Sequence, residues 1–117
     1  MSFVICFIVV SISEGGNTFV HSDINKEKLM ASMADNLVIL RKRLGLTQAK
    51  LAEKVGIGRQ TLIDIEKKKR PMVWNNFVAL LLVFRENSGT SDLLDYFGIY
   101  TVELNNYLTS SDGVSND

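Results

Sequence analysis

Gln48-Ala49-Lys50-Leu51-Ala52-Glu53-Lys54-Val55-Gly56-Ile57-Gly58-Arg59-Gln60-Thr61-Leu62-Ile63-Asp64-Ile65-Glu66-Lys67 is the stretch whose reading decides the fold. Leu51 and Val55 stand i, i+4 on one prospective helix, and Leu62 and Ile65 stand i, i+3 on the next. Each helix therefore turns one apolar stripe toward a shared core. Ala52 falls where the two would cross and a larger side chain would force them apart. Gly56 ends the first helix in a left-handed backbone that glycine adopts at little steric cost, and Ile57 plugs the corner between them. Lys50, Glu53, Lys54, Arg59, Gln60, Ile63 and Asp64 are left facing outward, most of them polar or charged.

Two helices crossing through such a corner form a helix-turn-helix. An αα-hairpin inside an ordinary helical domain would share the core pattern with a merely solvated outer face, but seven spaced core positions are more specific than that alternative requires. A second helix offering Arg59, Gln60 and Asp64 from its first two turns suits a DNA major groove, which admits one α-helix and displays a readable pattern of donors and acceptors.

The distribution of charge agrees. The chain of 117 residues carries 13 basic and 13 acidic side chains, a net charge of zero. Between Asp23 and Pro71, however, lie twelve of the bases against six acids, a local charge of +6, whereas the chain after Pro71 carries −5. Positive potential thus coincides with the helix pair, as phosphate binding requires. A solvated basic face would show the same charge alone, and the helix pattern beside it is what favours nucleic acid.

The segment Leu44-Gly45-Leu46-Thr47-Gln48-Ala49-Lys50-Leu51-Ala52-Glu53-Lys54-Val55-Gly56-Ile57, followed by Arg59-Gln60-Thr61-Leu62 and Ile65-Glu66, resembles the Cro/phage-repressor-type (xenobiotic response element) helix-turn-helix family over about residues 34 to 84. The resemblance implies an all-α fold, a compact four- to five-helix bundle of the lambda-repressor-like DNA-binding type. It implies binding of operator DNA as a homodimer and regulation of transcription, with repression the expected sense. By position, Gln48 matches the glutamine that contacts a phosphate and braces the recognition helix. Arg59, Gln60 and Asp64 match the residues that reach base edges, and Arg41 and Glu66 match a buried structural ion pair. Lys50, Thr61, Lys67, Lys69 and Arg70 complete the expected phosphate-contacting set with Gln48. Two positions depart from the family pattern: Gly58 stands where Ser or Thr usually caps the recognition helix, and Lys68 stands where glycine commonly closes it. Either that helix runs on through Lys67-Lys68-Lys69 or a lysine takes the left-handed position.

The remaining chain divides into an apolar extension and loop over 1–27, the domain over 28–108 and a polar, disordered tail over 109–117. The run of about eleven apolar residues within 1–13 is short of the ~20 a membrane-spanning helix needs and lacks the basic start and cleavage site of a secretory signal. It reads as an element packed on the domain or a dimer mate, a weak membrane association, or an extension from an upstream start codon. The last is slightly favoured, because Met30 and Met33 stand before the expected first helix. That helix is expected from about Lys28 or Ala34 to Leu44, with Leu37, Leu40 and Leu44 inward, Gly45 stopping it and Thr47 capping the next. Trp74, Phe77, Val78, Leu81 and Phe84 predict a fourth helix over 74–84. With Ala79, Leu80, Leu82 and Val83 it is apolar nearly all round and must be buried on more than one side. Asn87-Ser88-Gly89-Thr90 then breaks the pattern, Ser91 caps a fifth helix ended by Gly98, and 101–108 adds a last turn or two.

Other classes of function find little support. Lone Cys6 rules out an intramolecular disulfide or a cysteine-based zinc site and suits a cytoplasmic location. His21 has no partner, and no nucleophile, carboxylate cluster or phosphate loop stands at a working spacing, so neither enzyme activity, cofactor, metal nor small-molecule substrate is expected. A protein partner for the apolar helix 74–84, as in an antitoxin or adaptor, and a membrane-tethered regulator are the competing readings.

Overall fold

Asn25 opens the first helix. Its Oδ1 accepts the N–H of Lys28 at 3.0 Å, and the helix runs from Lys26 to Arg43 (α1). The computed structural model describes residues 24–111. Those residues form α1, then α2 (Gln48–Val55), α3 (Arg59–Glu66), α4 (Trp74–Glu86), α5 (Ser88–Tyr96) and α6 (Val102–Thr109), with no strand among them. The expectations for the apolar run, for Cys6 and His21, and for most of the tail lie outside the described residues. An all-helical fold with a helix-turn-helix at its centre is the lambda-repressor-like class expected from the sequence.

Of the two expected starts, Lys28 lies within two residues of the observed one and Ala34 does not, so Met30 and Met33 lie within the helix rather than before it. The Asn25 cap and the inward spacing of Leu29, Met33, Leu37 and Leu40 extend the helix by about two turns over a start at Ala34. At its other end Arg41, Lys42 and Arg43 complement the helix dipole. The N–H of Gly45 then reaches back to Lys42 and that of Leu46 to Arg41, and Leu44 is half-buried rather than part of the core.

Residues 25–101 form one unit holding α1 to α5, while α6 belongs to a second. Within the first unit α4 is the hub: it packs on α1, α2 and α5, while α1 also meets α3 and α5, and α2 meets α3. This explains most of its apolar circumference. Phe77, Leu80, Leu81 and Phe84 are buried, whereas Trp74 is half-buried and stacked on Phe77 with ring centroids 4.8 Å apart. The inward stripe is therefore rotated toward Leu80 from the one the i, i+3, i+4 pattern picked out. Val78, expected inside, is 36% exposed, and Leu82 is 59% exposed.

The junction between α4 and α5 corrects the sequence reading. Only Asn87 is extended; α5 begins at Ser88, and Ser91 lies within it instead of capping it. Asn87 serves both helices, its Nδ2 donating to the Val83 carbonyl at 2.7 Å while its own carbonyl accepts from Thr90 and Ser91. Buried Thr90 donates through Oγ1 to the Phe84 carbonyl at 2.6 Å. Its hydroxyl thus supplies the orphan end of α4 with a partner that Ser-Gly-Thr composition alone does not reveal. Gly98 ends α5 in a left-handed turn, as expected. Helix α6 runs from Val102 to Thr109 with Leu104 buried.

Candidate nucleic-acid interface

The helix pair at the centre of the chain is assembled by its own turn. Thr47 Oγ1 accepts the Lys50 N–H at 3.1 Å and starts α2. Gly56 ends it with φ +78°, and the N–H of Gly56 and that of Ile57 both return to the Ala52 carbonyl. Leu51, Ala52, Leu62 and Ile65 are buried, while Val55 and Ile57 are half-buried at the corner.

Gly58 occupies the cap of α3 with extended backbone and no side-chain cap bond. The first helical hydrogen bond runs from Leu62 to the Gly58 carbonyl, leaving the amides of the first turn unmet by any cap and open to an anion. At the opposite end the chain turns back on a lysine. The Lys68 N–H bonds the Ile65 carbonyl at 3.0 Å and the Lys69 N–H bonds the Asp64 carbonyl at 2.8 Å, the two bonds of a Schellman closure. Lys68 takes φ +62°, the sole positive φ of a non-glycine among the described residues. Of the two alternatives left open for this loop, the lysine in the left-handed position is the one adopted.

Below α3 lies a three-helix clamp. Arg41 on α1 donates Nε to Glu66 Oε2 at 2.7 Å and Nη2 to Oε1 at 3.1 Å, and its Nη1 donates to the Leu46 carbonyl at 3.1 Å. Gln48 at the start of α2 donates Nε2 to the same Oε1 at 2.8 Å. The Arg41 and Glu66 side chains are only 10% and 3% exposed. A forked cation on a carboxylate that also accepts an amide satisfies the charges that burial would otherwise penalise. One cluster therefore fixes the end of α3 against the start of α2 and the end of α1.

On the outer side Arg59 and Gln60 are exposed, and Thr61 and Asp64 are half-exposed. Gln60 Nε2 donates to Asp64 Oδ1 at 3.0 Å, and Arg70 Nη2 stands 3.8 Å from Asp64 Oδ2. Arg59, Lys67 and Lys69 are exposed with no ion pair among the described residues. Lys50 lies 3.7 Å from Glu53, and Lys68 bonds Asp35 on α1 at 2.6 Å. The structure thus groups the expected residues into the Arg41–Glu66–Gln48 clamp, the Gln60–Asp64–Arg70 chain and separate exposed cations. Sequence reasoning missed the contact from Asp35 to Lys68, which joins residues 33 apart. It also missed the contact from Gln60 to Asp64, which helical i, i+4 spacing does signal.

This arrangement is a helix-turn-helix with an exposed second helix, and the comparisons agree. Residues 37–73 match the helix-turn-helix family. With the geometry, this identifies that segment as a helix-turn-helix of the xenobiotic-response-element type. Over 27 residues the chain is 67% identical to an uncharacterised HTH-type transcriptional regulator of Methanothermobacter thermautotrophicus, a similarity covering 23% of this chain and 39% of that protein. The chain thus matches about two fifths of its relative's length. No solved structure matches.

Proposed function

We propose that the protein is a sequence-specific DNA-binding regulator of transcription, a repressor in sense, whose α3 enters the major groove. The observation that carries this reading is the exposed outer face of α3, held at a fixed tilt by the buried clamp beneath it. Arg59 and Gln60 are the base readers of the outward set that Asp64 completes. Arginine matches guanine O6 and N7, and glutamine matches adenine N6 and N7. Lys50, Thr61, Lys67, Lys69 and Arg70 meet phosphates, joined by Gln48, whose Oε1 and second amide hydrogen are not used by Glu66. Positive charge just past the end of α3 also favours the helix dipole.

The protein acts in the cytoplasm without catalysis, and no described helix is long and apolar enough to cross a membrane. It binds as a homodimer to half-sites about 34 Å apart. The exposed Val78 and Leu82 of α4 favour either this dimer or an adaptor role for that face. Titrating a random duplex at two salt concentrations tests the main reading. A DNA module loses affinity steeply with salt, whereas an adaptor hardly binds at either concentration. Selection from a random duplex pool then yields the operator.

A further inference from the structure

We propose that Asp64 is a positioning residue for Gln60 and not itself a reader of bases; the proposal rests on the DNA-binding reading above. Three observations converge on the role. Asp64 Oδ1 accepts from Gln60 Nε2 at 3.0 Å, Asp64 Oδ2 faces the Arg70 guanidinium at 3.8 Å, and the Asp64 side chain is 22% exposed. One carboxylate oxygen is hydrogen-bonded within the protein and the other faces a guanidinium. A carboxylate reaching for a cytosine would have to move off Gln60 or share its bonded oxygen, and would carry its negative charge toward the phosphates.

The bond has a direct consequence for Gln60. An ionised carboxylate only accepts, so the amide nitrogen of Gln60 and not its oxygen must face Asp64. Free glutamine amides present donor and acceptor in either order; this one is set. Nε2 spends one hydrogen on Asp64, leaving Oε1 as acceptor and the second hydrogen as donor. When that hydrogen is the one on the Oε1 edge, the pair complements adenine, whose N6 donates and whose N7 accepts. Arg70 reaches the carboxylate from the loop that the left-handed Lys68 folds back over α3, and it offsets the charge Asp64 brings to a phosphate-rich surface. The specificity device is thus Gln60 buttressed by Asp64 and screened by Arg70, with the rotamer ordered before DNA arrives.

Selecting sites from a random duplex pool with the wild type, and then measuring affinity for each single-base-pair variant of the selected site, tests the assignment. Gln60→Ala lowers discrimination at one A·T pair by about fivefold to a hundredfold. Asp64→Ala lowers discrimination at the same pair by about twofold to tenfold, the effect of leaving one long side chain unordered. Asp64→Asn restores part of it, because the asparagine oxygen can accept the same bond while its amide no longer excludes the reverse order, and the Gln60→Ala/Asp64→Ala double variant is no worse there than Gln60→Ala alone. An Asp64→Ala preference altered at a different base pair, or intact discrimination at the Gln60 pair, overturns the proposal. A second readout needs no DNA: the Gln60 side-chain amide resonances of the free protein shift in Asp64→Ala and shift less in Asp64→Asn. Resonances that ignore Asp64→Ala overturn the buttress even if the protein selects an operator. A wild type that selects no sequence while those resonances behave as expected overturns the DNA reading itself, and base specificity with it.

Discussion

Replacing Lys68 with glycine removes a Cβ from a residue held at φ +62°, and the expected result is a more stable protein. For an L-residue the left-handed region costs about 1–2 kcal/mol through the clash of Cβ with the following carbonyl. Two effects oppose the gain. Glycine broadens the unfolded ensemble by about 0.4–1 kcal/mol, and the substitution removes the Lys68–Asp35 ion pair. That pair is short at 2.6 Å, but its side chains are 54% and 62% exposed, so screening holds its contribution to about 0–1 kcal/mol. The net gain is about 0.5 kcal/mol, rising to about 1 kcal/mol where salt has already weakened the pair. Lys68→Ala separates the effects, since it loses the same ion pair and keeps the Cβ. Urea denaturation of wild type, Lys68→Ala and Lys68→Gly at low and high salt should place glycine above alanine by about 0.5–1 kcal/mol at both. Its midpoint of thermal unfolding should exceed that of alanine by about 2–8 °C. A glycine variant no more stable than the alanine variant would refute the argument. The left-handed backbone at residue 68 would then carry no strain that a Cβ adds.

Glu66→Ala strands Arg41 beneath α3 and leaves Gln48 without its acceptor, so it should cost about 3–5 kcal/mol; an unchanged denaturant midpoint would show that the clamp carries no stability. Gly58→Ser adds an oxygen at an extended cap position where a new Cβ meets only Thr61 Oγ1 at 3.7 Å. It should raise stability by a few tenths of a kcal/mol, and an anion-dependent loss of DNA affinity would show that the uncapped amides bind phosphate. Thr90→Val keeps the shape and removes the buried hydroxyl from the Phe84 carbonyl, with an expected loss of about 1–3 kcal/mol; a loss below a few tenths, read by chemical denaturation, would show the bond to be replaceable.

The helix pair was legible because every one of its requirements is local. Leu51, Ala52, Gly56, Leu62 and Ile65 each answer a constraint set within a few residues, and the structure buries or turns them as their spacing demands. The hub helix was legible in kind but not in orientation. A segment apolar on every side announces burial without saying which three neighbours it meets, and those neighbours decide that Leu80 is covered and Val78 is not. The start of α5 was misread for a related reason. Ser, Gly and Thr are weak helix formers, and what offsets their weakness is the bond from Thr90 to Phe84, six residues back on the other side of a corner.

The same distinction applies to the surface of α3. Spacing places Gln60 and Asp64 on one face but does not decide whether both look outward or one holds the other. That choice depends on Arg70, whose approach requires the chain to reverse at Lys68, a residue type that rarely takes a left-handed turn. A single strained lysine therefore links two properties that sequence treats separately: where the second helix ends and what its outer carboxylate can do. If the buttress acts as proposed, Lys68→Gly should retain the order of base preferences, because glycine makes the same turn with less strain and leaves Arg70 facing Asp64. Lys68→Pro, whose ring fixes φ near −65° and lacks the N–H that bonds Ile65, should move Arg70 away and relax discrimination at the Gln60 pair. Equal selectivity in both variants, measured on the selected site, would break that link and leave the turn with a structural role alone.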